Sequence, residues 1–231
     1  MKIEKPGTRR VVYYTEERWR IFKEKRIEAY KLLKILKNYQ PIIYGSIARG
    51  DVNKDSDIDI VLLNTTSYSI VRYVLESEGY KIFNVELVQA TPKTTPRLCV
   101  YLDIEEKICI SIPLSKLQKN EEEFYKYSGM LTYDDIVKNM YIRVPGVNKR
   151  LMLIIPTDFG HIEESIIGRE YEVSKILNVD PSIIFEREKM LIKRSEKGRT
   201  GLYIRISINP EDSVEEVVRR ILERKLRRVY Q

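Results

Sequence analysis

Apolar positions change period several times along the chain, and each change marks an element. Residues 10–14 form an extended patch, after which Phe22, Ala29, Leu33 and Leu36 recur at helical spacing across residues 15–38, with Thr15 placed as an N-cap. A short strand is expected at Pro41–Tyr44, then the turn GSIARG, then a second strand over residues 57–63. Ser67 and Ser69 are placed to open a helix whose Ile70, Val71, Val74 and Leu75 form its buried stripe, and Gly79 to stop it. Further strands are predicted at residues 81–88, 97–104 and 107–112, with the irregular loop ATPKTTP between the first two, and residues 114–127 read as a helix.

From about residue 133 the texture changes. A short helical piece, TYDDIVKNM, leads into IRVPGVNKRLMLIIPT, where Pro145 and Gly146 punctuate two strand-like pieces. A helix is predicted at Glu170–Leu177, a tight turn at NVD, and a second helix with Asp180 as N-cap and Pro181 at its first position. Residues 191–194 and 201–208 are then expected to pair as a hairpin around SEKGRT. Ser213 and Glu216 form a capping-box pair ahead of a helix with Val214, Val217, Val218, Ile221 and Leu222 on one side. This order resembles a winged helix-turn-helix, with Lys193, Arg194, Lys197 and Arg199 on the wing able to track a nucleic-acid backbone. The same pattern also serves protein interaction, so a protein partner stays open beside nucleic acid. The expected organisation is α+β: residues 1–132 as one domain, and 133–231 as a smaller one whose winged-helix-like unit covers about residues 170–231.

Composition adds limits. With 231 residues and 43% hydrophobic content, the chain can bury a core without disulfides. Its two cysteines, Cys99 and Cys109, lack metal-ligand spacing and read as buried free thiols. No apolar run is long enough to span a membrane and no signal peptide is evident, so a cytoplasmic protein is expected. A net charge of +7 is compatible with polyanion contact. The abundance of Lys, Arg, Glu and Ile resembles thermophile usage, in which ion pairs absorb many such charges.

The stretch GSIARGDVNKDSDIDI contains the candidate chemistry. Asp57 and Asp59 leave one face of a strand side by side, a costly arrangement unless a cation lies between them. Mg²⁺ or Mn²⁺ suits such a pair and leaves positions for substrate phosphates. Gly45 allows close backbone approach to a phosphate, and Ser46 supplies a hydroxyl and an amide at the start of a helical turn.

YGSIARGDVNKDSDIDIVLL resembles the signature of the DNA polymerase β-type nucleotidyltransferase superfamily, most closely its minimal archaeal and bacterial members. The resemblance implies a mixed sheet with flanking helices, Gly45 and Ser46 as the triphosphate-holding pair, and Asp57 and Asp59 as metal ligands. Arg49 either contacts phosphate or pairs with Asp51. A third carboxylate belongs to such sites: Glu86, in NVELVQ, is the first choice, Asp103 an alternative, and KICISIP offers no acid. The implied reaction is attack of an acceptor hydroxyl on the α-phosphate of a nucleoside triphosphate. The alternatives are a nucleic-acid-binding regulator or an antitoxin-like partner protein whose site only binds nucleotide. His161 and the aromatics Tyr13, Tyr14, Trp19 and Phe22 read as structural.

Overall fold

The structure, a computed structural model, describes residues 2–198 and 201–229, with side chains to residue 224. It opens with β1 (Arg9–Tyr13) and α1 (Glu16–Ile35), whose N-cap Thr15 accepts the Arg18 N–H. Phe22, Ala29, Leu33 and Leu36 lie in the main core, as their spacing predicts. β2 (Pro41–Tyr44) runs into the single turn α2 (Ser46–Arg49), and β3 (Ile58–Leu62) follows. Next come α3 (Tyr68–Ser77), capped by Ser67, then β4 (Asn84–Gln89), β5 (Arg97–Tyr101), β6 (Ile108–Pro113) and α4 (Lys119–Tyr127). Each falls within or close to its expected segment. β7 (Met130–Thr132) was not expected, and α5 (Tyr133–Lys138) was. The second half contains β8 (Gly146–Val147), β9 (Met152–Thr157), β10 (Gly160–Ser165), α6 (Glu170–Leu177), α7 (Pro181–Lys197), β11 (Ile204–Ile208) and α8 (Val214–Val229).

Seven strands form one sheet in the order β11-β4-β5-β6-β3-β2-β7. Only β3 and β6 pair in parallel, so the sheet is mixed. Strand side chains alternate faces. One face presents Ile58, Ile60, Leu62, Ile110, Ile112, Leu98, Val100, Val85 and Leu87 to the main core, which α1, α3 and α8 cover. The opposite face carries Asp59, Cys109, Ser111, Cys99 and Glu86, and this is where the candidate site lies. A four-stranded sheet, β1-β10-β9-β8, joins α6 and α7 around a second core of Val147, Leu153, Val173, Ile184 and Leu191.

The winged hairpin does not form. Residues 191–194 continue α7, because Leu191 extends the buried Ile183 and Ile184 face and the intervening residues are good helix formers. Gly198, at φ +83°, ends the helix. Lys193, Arg194 and Lys197 therefore sit on the last turns of a helix, and Arg199 lies outside the described residues. β11 joins the large sheet antiparallel to β4, and Ile204, Ile208, Val214 and Val218 are buried in the main core. The sheets thus do not divide at residue 133: β1 belongs to the small sheet, and the last strand and helix to the large one.

Candidate active site

β3 brings Asp57 and Asp59 out on the polar face of the sheet at a junction of two cavities. The first, about 440 Å³, is lined by Gly45, Ser46, Asp57 and Asp59 together with Phe124, Tyr127, Lys149 and Arg187. The second, about 340 Å³, spreads over the sheet between Asp59, Arg97, Cys99, Cys109 and Glu86. Tyr44, Asp57 and Asp59 line both. Burial, with Asp57 adding to it, pushes the Asp59 carboxyl up to about 6, against the pull of Lys149 and Arg97. A carboxylate in this position favours a cation as partner.

The turn ahead of the pair is built on a glycine that cannot be replaced freely. Gly45 adopts φ +75° and ψ −145°, a region that side chains exclude, and its N–H donates to the Gly129 carbonyl at 2.9 Å. Ser46 follows on the cavity wall, and its hydroxyl has no partner among the described residues. Glycine also brings in the loop that sequence reading missed. A Cβ on Gly146 would come within 2.4 Å of the Gly129 backbone nitrogen, so only glycine lets β8 pack against the segment that holds Gly45.

Beyond β8 the chain turns tightly. Asn148 Oδ1 accepts from the Arg150 and Met152 amides, and Leu151 takes φ +59°. Arg150 is tied to Glu4, whereas Lys149 forms no ion pair among the described residues and acts on Asp59. The sequence signal was present: a Pro-Gly pair followed by Asn-Lys-Arg is a turn presenting cations, but nothing local says where it points.

Comparison with known proteins bears on this geometry. Residues 30–123, less than half of the chain, match the family described as polymerase beta, nucleotidyltransferase. These residues form a polymerase β-type nucleotidyltransferase domain. No curated protein matches the chain. Among solved structures it is similar to Cid1 in complex with the UTP analogue UMPNPP, at 20% identity and a TM-score of 0.28 over 44% of this chain. The match spans 29% of that chain's length.

In the nucleotidyltransferase domain, Gly45, Ser46, Asp57 and Asp59 converge on one cavity. Arg49 also lines it but is engaged: it pairs with Asp51 through two bonds of 3.0 Å and donates to the Ser128 carbonyl at 2.6 Å. The pairing reading of Arg49 is the one the geometry favours.

Neither proposed third carboxylate is brought against the Asp pair. β5 inserts between β4 and β6, so Glu86 lies three strands from Asp59, about 14 Å at the usual strand spacing. Its charge is met by Arg205 at 3.0 Å and by the Tyr101 hydroxyl. Asp103 accepts the Lys107 and Ile108 amides and closes the turn into β6. The position paired with Asp59 on the neighbouring strand is Cys109. Among the described residues no three His, Cys, Asp or Glu side chains converge on a metal position. Two adjacent carboxylates, one half-buried, are oxygen donors suited to a divalent ion such as Mg²⁺ or Mn²⁺ whose other positions are filled by phosphate and water.

His161 is structural, as expected. It is 1% exposed, with Nδ1 2.6 Å from the Tyr14 hydroxyl and Nε2 facing Glu163.

Proposed function

We propose that this chain transfers a nucleoside monophosphate from a nucleoside triphosphate to a hydroxyl acceptor, releasing pyrophosphate. The carrying observation is that the Gly45–Ser46 turn and the Asp57/Asp59 pair open onto one cavity, while the pair also faces a second. The first cavity takes the triphosphate, with Ser46 donating to it and Lys149 offsetting its charge. The second offers a bed for the acceptor over Ser111 and Cys109, beside Arg97. The acceptor oxygen forms a bond to the α-phosphorus as the bond to the β-phosphate bridging oxygen breaks; the hydroxyl proton is lost and pyrophosphate leaves. Asp57 and Asp59 would hold Mg²⁺ or Mn²⁺, which when bound supplies charge neutralisation at the reacting phosphate.

A second reading has its own observation. With Cys109 where a third carboxylate would sit beside Asp59, the site is short of a group to activate the hydroxyl. That favours a protein that binds nucleotide without transferring it, acting as a nucleic-acid-binding regulator or as an antitoxin-like partner of another protein.

Incubation with each α-labelled triphosphate, Mg²⁺ or Mn²⁺ and cell extract separates the two. Transfer predicts label covalently attached to an acceptor and abolished by Asp57→Asn. Tight nucleotide binding with no attached label supports the second reading.

A further inference from the structure

Four buried or half-buried arginines of this protein fall into two groups. Arg26 directs both terminal nitrogens at the carbonyls of Met140, Ile142, Ile47 and Ala48, leaving only Nε unmatched. Arg49 has Asp51 and the Ser128 carbonyl, and Arg143 has the carbonyls of Gly160 and Thr157. Arg187 is different. Among the described residues its Nε is buried without a partner, and its Nη1 meets only the Met190 sulfur, at 3.6 Å. A thioether is a weak acceptor. The guanidinium lies 4.4 Å from the Phe124 ring centre, which fixes its plane but supplies no counter-charge. Burial draws its pKa down; Tyr127 and then Glu186, its neighbour in sequence, oppose that without forming an ion pair among the described residues, and Arg194 adds to it.

A second orphan lines the same cavity. Tyr127 is 1% exposed, and its hydroxyl is buried with no hydrogen-bond partner among the described residues. Unpaired buried polar groups are costly, and an unpaired buried charge more so. Arg187 and Tyr127, from α7 and α4, line the cavity that contains Gly45, Ser46 and Lys149, and neither lines the second cavity. A triphosphate whose α-phosphate sits at the shared Asp pair extends its remaining phosphates into the first cavity, where these groups are.

We propose that Arg187, with Tyr127 beside it and Lys149 on the same cavity, binds the terminal phosphates of the nucleoside triphosphate, so that the site requires a triphosphate. This rests on the nucleotide reading of the cavity. A fork of guanidinium donors fits phosphate oxygens and stabilises the charge that grows on departing pyrophosphate.

Isothermal titration of the full chain with Mg²⁺ and inorganic tripolyphosphate, and in parallel with nucleoside tri- and monophosphates, tests it. Arg187→Met keeps a side chain over Phe124 and is expected to weaken tripolyphosphate and triphosphate binding by at least about tenfold, with monophosphate affinity changed less than about twofold. Tyr127→Phe, which removes one oxygen, is expected to weaken the same two ligands by a smaller factor and covers the case in which Arg187→Met does not fold. If the wild type binds triphosphate and both variants bind it equally well, the assignment of Arg187 and Tyr127 fails while the nucleotide reading stands. If the wild type binds neither tripolyphosphate nor any triphosphate, the nucleotide reading itself fails.

Discussion

Asp59 is a single side chain held against the fold's own interest. Its folded pKa, about 6, lies above the ordinary carboxylate value because of burial and Asp57. A carboxyl with a raised folded pKa favours the native state in its protonated form, so the protein is most stable, in this respect, at low pH. That contribution is lost as pH rises from about 4 through about 6. Asp59→Asn should therefore stabilise the metal-free protein at pH 7.5, by about 1–3 kcal/mol. The gain should vanish near pH 4, and thermal unfolding at both pH values checks it. The Arg49 and Asp51 pair makes the opposite case, since both side chains are nearly buried. Asp51→Ala leaves the Arg49 charge uncompensated and should cost about 3–5 kcal/mol, read by urea unfolding. At this scale the sequence was readable where the signature is local: Gly45, Ser46, Asp57 and Asp59 lie within fifteen residues and reach one cavity. Glu86 and Cys109 were not readable, because which strand lies beside β3 depends on β5 being inserted before β6.

Elements show the same division between local and distant information. Caps and stripes placed the starts of α1, α3, α6 and α7 within a residue or two, since Thr15, Ser67 and Asp180 accept amide protons from the first turns that follow them. The hairpin failed for a physical reason: a run such as LIKRSEK suits a helix as well as a strand, and Leu191 finds its core on the helix face. β11 alternates correctly for a strand, but its partner is β4, more than a hundred residues earlier. Lys193, Arg194 and Lys197 are consequently spread around a helix end, and among the described residues no wing presents them to a nucleic-acid backbone. Gly146 is the sharpest test at this scale. Gly146→Ala puts a methyl group against the Gly129 backbone and should displace the loop carrying Lys149, weakening nucleotide binding at least about tenfold. The circular-dichroism spectrum should be nearly unchanged, and titration with nucleoside triphosphates reads the loss.

At the scale of the molecule, the two sheets are interlocked by their ends. β1 leaves the N-terminus for the small sheet, and β11 and α8 return to cover the edge and core of the large one. Ile204, Ile208, Val214 and Val218 are all at most 6% exposed, so deleting residues 201–231 should strip the core and leave protein that is unfolded or aggregated. A detachable C-terminal module would instead leave a folded remainder with a cooperative thermal transition. The interlock serves the site as well, because the nucleotidyltransferase signature supplies Gly45, Ser46 and the Asp pair while the second half supplies Lys149 and Arg187 to the same cavity. Among the described residues no helix is long and apolar enough to cross a membrane.

The most direct measurement is calorimetric titration of nucleoside triphosphate into wild type and an Asp57→Asn, Asp59→Asn double variant, with and without Mg²⁺. The wild type should bind at least about tenfold more tightly with the ion than without it, and the double variant should lose that dependence while melting no lower than the wild type. A double variant that keeps the same ion-dependent affinity would contradict the assignment of the two carboxylates.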